Sequence, residues 1–229
     1  MIEISRNYFK PRYGASINEK KMIINSFVWL LAIVILITIV VIVCVNWQDI
    51  MLHIHQYLQP TTPVPTKTVI VEGWLAEFDY LVIEAAYIIK RENIQLVLVT
   101  DLIRDELSQS TGKITAQRLA ELGIDQNKIR LVSAPIVKYG NTRQAAKALR
   151  SYVIESQTDV SSANIITGGT HGRKTLIIFR TILGAELQLG IISLPMEHAP
   201  WGKWYRTKRG NLGTIKYLIG YVLTMIFRR

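Results

Sequence analysis

The chain has one long apolar stretch near its N-terminus. Residues 27–45 form a run of nineteen in which only Thr38 has a polar side chain. As a helix, this run reaches about 28 Å, close to the ~30 Å hydrocarbon core of a bilayer. The pattern therefore predicts one membrane-spanning helix over 26–46. A cleaved signal peptide is the alternative, disfavoured by the long basic segment before the run.

From residue 67 onward, short apolar runs alternate with segments of helical periodicity. The apolar runs predict five strands, at 68–71, 95–100, 129–132, 164–167 and 189–193. The intervening periodic segments predict helices at 80–91, 114–122, 141–156 and 172–183. Strands that are apolar throughout and alternate with helices are typical of a parallel sheet covered on both faces. We therefore expect a three-layer α/β/α domain over 67–229, with a mainly parallel, Rossmann-like sheet of about five strands.

Three further segments have distinct compositions. Residues 1–25 form a basic tail, and 47–66, with its three prolines, predicts an extended linker. Residues 212–227 are strongly apolar, but sixteen residues reach only about 24 Å as a helix, and Lys216 interrupts them. We expect a C-terminal helix that docks on the domain or lies in the membrane interface, with a second crossing as the weaker alternative.

The net charge of +10 is concentrated at the two ends of the chain. Residues 200–229 carry seven Lys or Arg and no acid, and 1–25 have a smaller positive excess, whereas the charges between them balance. A neutral folded region argues against a nucleic acid as the main partner. Basic ends beside apolar segments indicate membrane lipids or phosphates as partners. We expect 200–229 to hold the domain against the anionic membrane surface.

The flanks of the apolar run predict its orientation. Five Lys or Arg precede it, and none occurs in 46–66. The positive-inside rule then places the N-terminus in the cytoplasm and the domain outside, for a single-pass protein of the plasma (inner) membrane. Cys44, the only cysteine, lies inside the run, so an intramolecular disulfide is excluded.

Candidate functional residues follow from the predicted sheet. Ligands of open parallel sheets bind at the carboxyl ends of the strands, near the point where the strand order reverses. The polar residues that follow the predicted strands are Glu72, Asp101, Asn141, Thr142, Thr170, His171, Arg173, Glu197 and His198. His171, in a glycine-containing loop, is the best acid–base candidate, with a structural histidine as the alternative. Glu72 and Asp101 are expected either to form a catalytic carboxylate pair or to serve as a cap and a turn residue.

The segment 168–172 joins a predicted strand to a predicted helix. Glycines there allow backbone N–H groups to face an anion at the helix N-terminus. Two cations in the first helical turn oppose the helix dipole, which favours an anionic ligand with Arg173 as its main contact. The alternative is a tight turn with solvated cations. The candidate anion-binding residues are Gly168, Gly169, Thr170, Gly172, Arg173 and Lys174, with Asn141, Thr142 and, from an aromatic and basic segment at 201–206, Arg206.

Several familiar motifs are missing from the sequence. The loop at 168–172 is neither a Walker A loop nor a G-x-G-x-x-G fingerprint, so ATP and NAD are not supported. No cluster with metal-ligand spacing and no G-x-S-x-G elbow occurs either. The sequence therefore identifies no cofactor and no metal.

As a set, these features resemble the SanA/YdcF/ElyC-like family of bacterial envelope proteins, in a divergent subgroup. The matching residues are Asn141-Thr142 at a helix start after the third strand, and Thr170-His171-Gly172-Arg173-Lys174 after the fourth. The resemblance implies a membrane-anchored factor in envelope or peptidoglycan-precursor metabolism that involves lipid-carrier phosphates. It supplies no defined reaction.

Two classes of function remain open. The domain either binds an anionic, phosphate-bearing envelope precursor, with transfer or hydrolase activity, or is a non-catalytic scaffold acting through protein and lipid contacts. Convergence of Glu72, Asn141, His171 and Arg173 on one concave pocket would favour ligand chemistry. Their dispersal would favour the scaffold.

Overall fold

The computed structural model describes residues 17–103, 110–155, 160–185, 187–196 and 206–227, with side chains from residue 25 onward. These residues belong to two compact units, which divide between Trp47 and Gln48. The predictions for residues 1–16, for Glu197 and His198 and for 201–205 fall outside the described residues.

Helix α1, Ile17–Val45, forms the first unit. Its stretch Asn25–Val45 is long and apolar enough to cross a membrane, and among the residues described it is the one helix with this property. The structure therefore has the predicted N-terminal apolar helix, whose length and composition suit a membrane anchor or a signal sequence.

A six-stranded sheet forms the centre of the second unit. The strands are β1 (Thr61–Thr62), β2 (Thr68–Glu72), β3 (Leu96–Ile103), β4 (Ile129–Pro135), β5 (Ser162–Gly168) and β6 (Gln188–Leu194). They are arranged in the order β1-β6-β5-β2-β3-β4. All pairs are parallel except β1 with β6. The predicted α/β fold with a mainly parallel sheet is confirmed, with one short edge strand added to the five expected.

Helices cover both faces of this sheet. The helices after α1 are α2 (Trp47–Leu58), α3 (Asp79–Arg91), α4 (Thr111–Glu121), α5 (Asn141–Glu155), α6 (Gly172–Leu183) and α7 (Lys208–Ile226). Alternation along β2 directs Val69 and Val71 toward α3 and α4, and Ile70 toward α5 and α6. The α7 helix packs on α6, outside this second layer.

The segment 47–66 differs from the extended linker expected for it. Helix α2 buries Met51 and Leu58, whose spacing places them on one helical face. Beyond α2, the Val64 N–H donates to Oδ1 of Asn164, and Nδ2 of Asn164 donates to the Val64 carbonyl, both at 2.8 Å. These side-chain bonds replace strand pairing where the neighbouring prolines lack an N–H. The segment is therefore part of the domain.

Candidate functional site

The strand order reverses between β2 and β5, at the centre of the sheet. The chain proceeds outward from β2 through β3 to β4, then crosses over through α5 to β5 and continues outward to β6 on the other side. Ligands of such sheets bind in the crevice outside the carboxyl ends of the two central strands. Here Glu72 ends β2, and Thr167 and Gly168 end β5.

Glu72 is a buried carboxylate in this crevice. Its Oε2 accepts hydrogen bonds from Nε1 of Trp74, at 3.0 Å, and from the Thr167 hydroxyl, and its Oε1 accepts from Oγ1 of Thr175 at 3.4 Å. Burial raises the pKa of this carboxyl, but the charge of His171 and the hydrogen bonds outweigh burial. The pKa of Glu72 therefore lies below its ordinary value of 4.5, and the group is ionised at neutral pH.

His171 faces this carboxylate. Its Nε2 lies 3.6 Å from Oε1 of Glu72, within ion-pair distance, and 3.4 Å from Oγ1 of Thr142. Because an ionised carboxylate only accepts hydrogen bonds, the proton of a neutral imidazole belongs on Nε2. The described residues form no hydrogen bond with Nδ1, so that nitrogen remains a proton acceptor. Trp74 and Tyr217 contact the imidazole edge-on, with ring centroids 5.8 and 5.6 Å away, and fix its plane.

A cavity of about 360 Å³ opens beside the imidazole. Its wall is mostly apolar and aromatic, with one carboxylate besides the imidazole, and consists of Trp74, Glu77, Phe78, Gly168, Thr170, His171, Met196 and Tyr217. Burial, and then the charges of Glu72 and Glu77, raise the pKa of Tyr217, so its hydroxyl stays protonated and can donate a hydrogen bond. An apolar cavity with a few polar groups is typical of a ligand site.

A larger cavity, of about 580 Å³, lies at the opposite end of the sheet. Lys67, Val69 and Asn164, near the starts of β2 and β5, are part of its wall. The smaller cavity is the better candidate because it lies at the carboxyl ends of the strands and is lined by His171, the partner of Glu72.

The glycine loop 168–172 is packed tightly by its neighbours. A Cβ on Gly168 would lie 2.7 Å from the Trp74 ring, and one on Gly172 would lie 2.1 Å from Oγ of Ser193. Gly169 has a φ of +53°, which favours glycine. The negative charge at the first turn of α6 is the carboxylate of Glu72. The carboxylate of Glu72 therefore lies at the helix start where the sequence predicts an anionic ligand.

Arg173 makes contacts away from the cavity. Its Nε donates to the carbonyl oxygen of Tyr57 at 2.5 Å, and its guanidinium carbon lies 3.9 Å from the centroid of the Tyr57 ring. The Tyr57 hydroxyl is hydrogen bonded in turn to the Tyr221 hydroxyl, at 2.8 Å. Arg173 therefore joins α6 to α2 and α7, and this geometry does not support its expected role as the main anion contact.

Lys174 provides a cation beside the Glu72–His171 pair. It lies one helical turn after His171 on α6. Burial lowers the pKa of Lys174, the carboxylate of Glu72 raises it, and Lys216 of α7 lowers it further. Lys174 therefore lies within electrostatic reach of Glu72 and of Lys216. Neither lysine is among the residues that line the cavity beside His171.

Asp101 lies on the other face of the sheet. It shares the α3 and α4 side with Val99, whereas Glu72 is bonded to Thr175 on α6. The fully buried Asp101 accepts a hydrogen bond from Ser133, at 3.2 Å, and packs against the start of α4. The predicted carboxylate pair of Glu72 and Asp101 is therefore not formed.

The two residues at the start of α5 have different positions. Thr142 reaches His171, but Oδ1 of Asn141 accepts a hydrogen bond from the Val137 N–H at 2.8 Å and fixes the preceding loop. Arg206 is exposed just before α7 and is not among the residues that line the cavity. Of the four residues whose convergence we considered, Glu72 and His171 meet, while Arg173 and Asn141 do not.

The residues that hold Glu72 and His171 in place were not singled out from the sequence. They are Trp74, Thr167, Thr175 and Tyr217. Thr175 could have been found, because a residue four positions after His171 lies on the same helical face. Tyr217 carried no signal, since its position depends on how α7 packs on α6.

In comparisons with known proteins, no family model, no curated sequence and no solved structure matches the chain. The resemblance to the SanA/YdcF/ElyC-like family therefore rests on the short motifs given above. Within the described ranges, no group of three or more His, Cys, Asp or Glu side chains is arranged to hold a metal ion.

Proposed function

We propose that the chain is a membrane-anchored protein of the bacterial cell envelope whose extracytoplasmic α/β domain binds a phosphate-bearing envelope or peptidoglycan precursor and acts on it as a hydrolase or transferase. The single observation that carries this proposal is the contact of the buried Glu72 with His171, which lines a cavity at the reversal of strand order. The short motifs that resemble the SanA/YdcF/ElyC-like family support the ligand class.

The chemistry follows from the tautomer of His171. Nδ1 accepts a proton from a water or hydroxyl as its oxygen forms a bond to phosphorus, and the imidazolium then returns that proton to the leaving oxygen. Glu72 stabilises the imidazolium through Nε2 and keeps the ring oriented. Acid–base catalysis of this kind contributes about 10²–10⁴-fold in rate. His171 is the catalytic residue of this proposal, and Glu72 is a positioning residue.

The proposed anion subsite lies at Lys174 and Lys216. Lys174 lies within electrostatic reach of both Glu72 and Lys216, and the charge of Glu72 is engaged by His171. A phosphate beside these lysines would offset the repulsion between them. The apolar wall of the cavity suits a ligand that carries an apolar group next to its phosphate.

The proposed orientation is supported by the charges that flank Asn25–Val45. A topology reporter fused after Thr66 should be active outside the cytoplasm. Activity of the reporter in the cytoplasm would contradict the orientation, and with it an extracytoplasmic ligand.

The test of the function uses the full chain in lipid nanodiscs. Soluble and lipid-linked phosphate-bearing precursors are screened against the wild type, His171→Asn, Lys174→Gln and, as a matched control, Arg150→Gln, which removes an exposed cation of α5. Loss of a charge-assisted contact costs about 1.5–3 kcal/mol, so Lys174→Gln should weaken binding roughly ten- to a hundredfold. His171→Asn should retain binding and lose turnover.

Other outcomes would decide against the enzyme. Equal turnover in wild type and His171→Asn would remove His171 as the catalytic group. If no precursor binds and all variants behave alike, the alternative of a non-catalytic envelope scaffold or assembly factor is favoured.

A further inference from the structure

Helix α7 has one face packed on the domain and one face exposed. Thr214 is buried, Tyr217 contacts His171, and Tyr221 is bonded to Tyr57. These three lie on one side of α7 because they are three and four residues apart. The opposite side, here termed the outer face of α7, consists of Leu212, Ile219, Val222, Leu223, Ile226 and Phe227.

The outer face of α7 is an apolar patch. Its six side chains are between 43% and 66% exposed. Single exposed apolar residues are ordinary on protein surfaces, but a contiguous apolar patch marks a contact with a membrane or a partner. Because the inner face is fixed by its contacts with α6 and α2, rotation of α7 cannot bury the outer face on the domain.

The charges on the same helix indicate what covers this face. Arg206, Lys208 and Arg209 are exposed at and just before the start of α7, and no acidic residue occurs between 206 and 227. Each such cation near an anionic lipid surface is worth about 1 kcal/mol. Lysine is depleted at protein–protein contacts, whereas cations next to an apolar helical face are typical of helices that lie in the membrane interface. Charge complementarity therefore favours an anionic lipid surface over another protein.

The position of α7 in the domain is consistent with this occupant. Helix α2 follows the apolar stretch Asn25–Val45 in the chain, and Tyr57 near its end is bonded to Tyr221 of α7 at 2.8 Å. Arg173 strengthens this junction through the Tyr57 carbonyl and ring. Helix α7 is thus attached to the first helix that the chain forms after its candidate membrane span.

We propose that the outer face of α7 lies on the anionic lipid surface, as a second attachment of the domain besides α1. This inference rests on the proposed membrane anchoring but not on the chemistry at His171. The α7 helix would then contact lipid with one face and the ligand cavity with the other, through Tyr217.

The test uses the full chain reconstituted in vesicles of equal parts phosphatidylcholine and phosphatidylglycerol. Cys44→Ser removes the native cysteine, and Leu223→Cys introduces a single site for an environment-sensitive fluorophore. Ile154→Cys is the matched control, because Ile154 is an apolar residue of α5 with 65% exposure. Quenching by lipids with a spin label on the acyl chain then reports contact with the bilayer.

We expect the fluorophore at residue 223 to be blue-shifted and quenched several-fold more strongly than the one at residue 154. Quenching at 223 should fall when phosphatidylglycerol is replaced by phosphatidylcholine, because the cations of α7 then lose their attraction. Equal quenching at both positions would overturn the proposal. A blue shift at 223 without lipid quenching, which increases with the protein-to-lipid ratio, would also overturn it and identify a second copy of the chain as the occupant. Either result leaves the tests at His171 unaffected.

Discussion

Oε1 of Glu72 lies 3.6 Å from Nε2 of His171, so the chain segments that follow β2 and β5 meet in one ion-pair contact. Trp74, Thr167 and Thr175 fix the carboxylate by donating hydrogen bonds to it. The imidazole of His171 is therefore oriented by a carboxylate that itself accepts three hydrogen bonds. The proposed reactive site therefore rests on this arrangement rather than on the glycine loop.

The first prediction concerns the tautomer of His171. With Glu72 ionised, the neutral imidazole should carry its proton on Nε2 and leave Nδ1 unprotonated. Nitrogen NMR of the full chain with isotope-labelled histidine measures this, and the signal absent from His171→Asn gives the assignment. In Glu72→Gln, the preference for a proton on Nε2 should weaken. A proton on Nδ1 in the wild type would contradict the proposed base.

The second prediction concerns acid stability. The pKa of Glu72 is lowered in the folded protein, so its contribution to the free energy of unfolding is present above pH 4.5 and is lost as the pH falls through the lowered value. Glu72→Gln should cost about 1.5–3 kcal/mol at neutral pH, because hydrogen bonds to a charged acceptor are lost.

The measurement for this prediction is denaturant unfolding in mild detergent at neutral pH and well below pH 4.5. The difference between wild type and Glu72→Gln should shrink at the acidic pH. The exposed Glu84 of α3 provides the matched control, and Glu84→Gln should show no such change. A difference that stays constant with pH would mean that the charge of Glu72 does not stabilise the fold.

Local sequence patterns predicted the sheet but not the edges of the domain. The core strands are short β-branched runs whose side chains are buried on both faces, so the pattern itself reports the parallel sheet. The helical part of the segment 47–66 was missed because Met51 and Leu58 show their burial only once α2 meets the domain, whereas the part with the three prolines is non-helical, as expected. The side-chain bonds between Asn164 and Val64 likewise join parts of the chain that no local pattern connects.

The sequence predicts those contacts of the candidate site that depend on the direction of the strands, and not those that depend on how the helices pack. Glu72 and His171 follow adjacent parallel strands, so the ends of those strands bring them together. Asp101 lies within β3, two residues before the end of that strand, and its register directs it to the opposite face. Arg173 was expected at the ligand because the sequence does not reveal that α2 supplies Tyr57 as its partner.

The third prediction assigns Arg173 to the helix junction rather than to ligand binding. Arg173→Ala should destabilise the domain by about 1–2 kcal/mol, through loss of the hydrogen bond to the Tyr57 carbonyl and the cation–π contact. Hydrogen exchange should increase most in α2. Arg150→Ala, on the exposed side of α5, is the control and should leave α2 protected. Unchanged exchange in α2 of Arg173→Ala would show that this junction does not hold the helix.

The fourth prediction concerns the opposite effects on stability of an alanine at Gly172 and an alanine at Gly213. A Cβ on Gly172 would lie 2.1 Å from Oγ and 3.2 Å from Cβ of Ser193, so Gly172→Ala should cost about 1–3 kcal/mol through overpacking. Gly213 in α7 has no neighbouring atom within 4 Å of an added Cβ, so Gly213→Ala should stabilise the helix by about 0.5–1 kcal/mol. Thermal unfolding of both variants measures the two signs. A neutral Gly172→Ala would show that β6 and the glycine loop can separate at no cost.

The last prediction concerns the pH dependence of anion binding at Lys174. Burial and the nearby Lys216 lower the pKa of Lys174, while Glu72 raises it. The lysine therefore loses its charge at a lower pH than the ordinary value of 10.5, and affinity for a phosphate-bearing probe should fall as the pH rises through that lowered value.

Two variants should shift the pH at which affinity for the probe is lost, in opposite directions. Lys216→Gln removes a like charge, so the pKa of Lys174 should rise and the loss of affinity should shift to higher pH. Binding at neutral pH should weaken about tenfold in this variant, because one cation of the proposed subsite is lost. Glu72→Gln removes the carboxylate that favours the charged lysine, so the loss of affinity should shift to lower pH.

Calorimetric titration of the full chain with inorganic pyrophosphate, from neutral pH upward, measures both shifts. Lys147→Gln, which removes an exposed cation of α5, should leave the profile unchanged. If all four proteins share one profile, pyrophosphate binds elsewhere, because a subsite at Lys174 must respond to the two charges that set the pKa of this lysine.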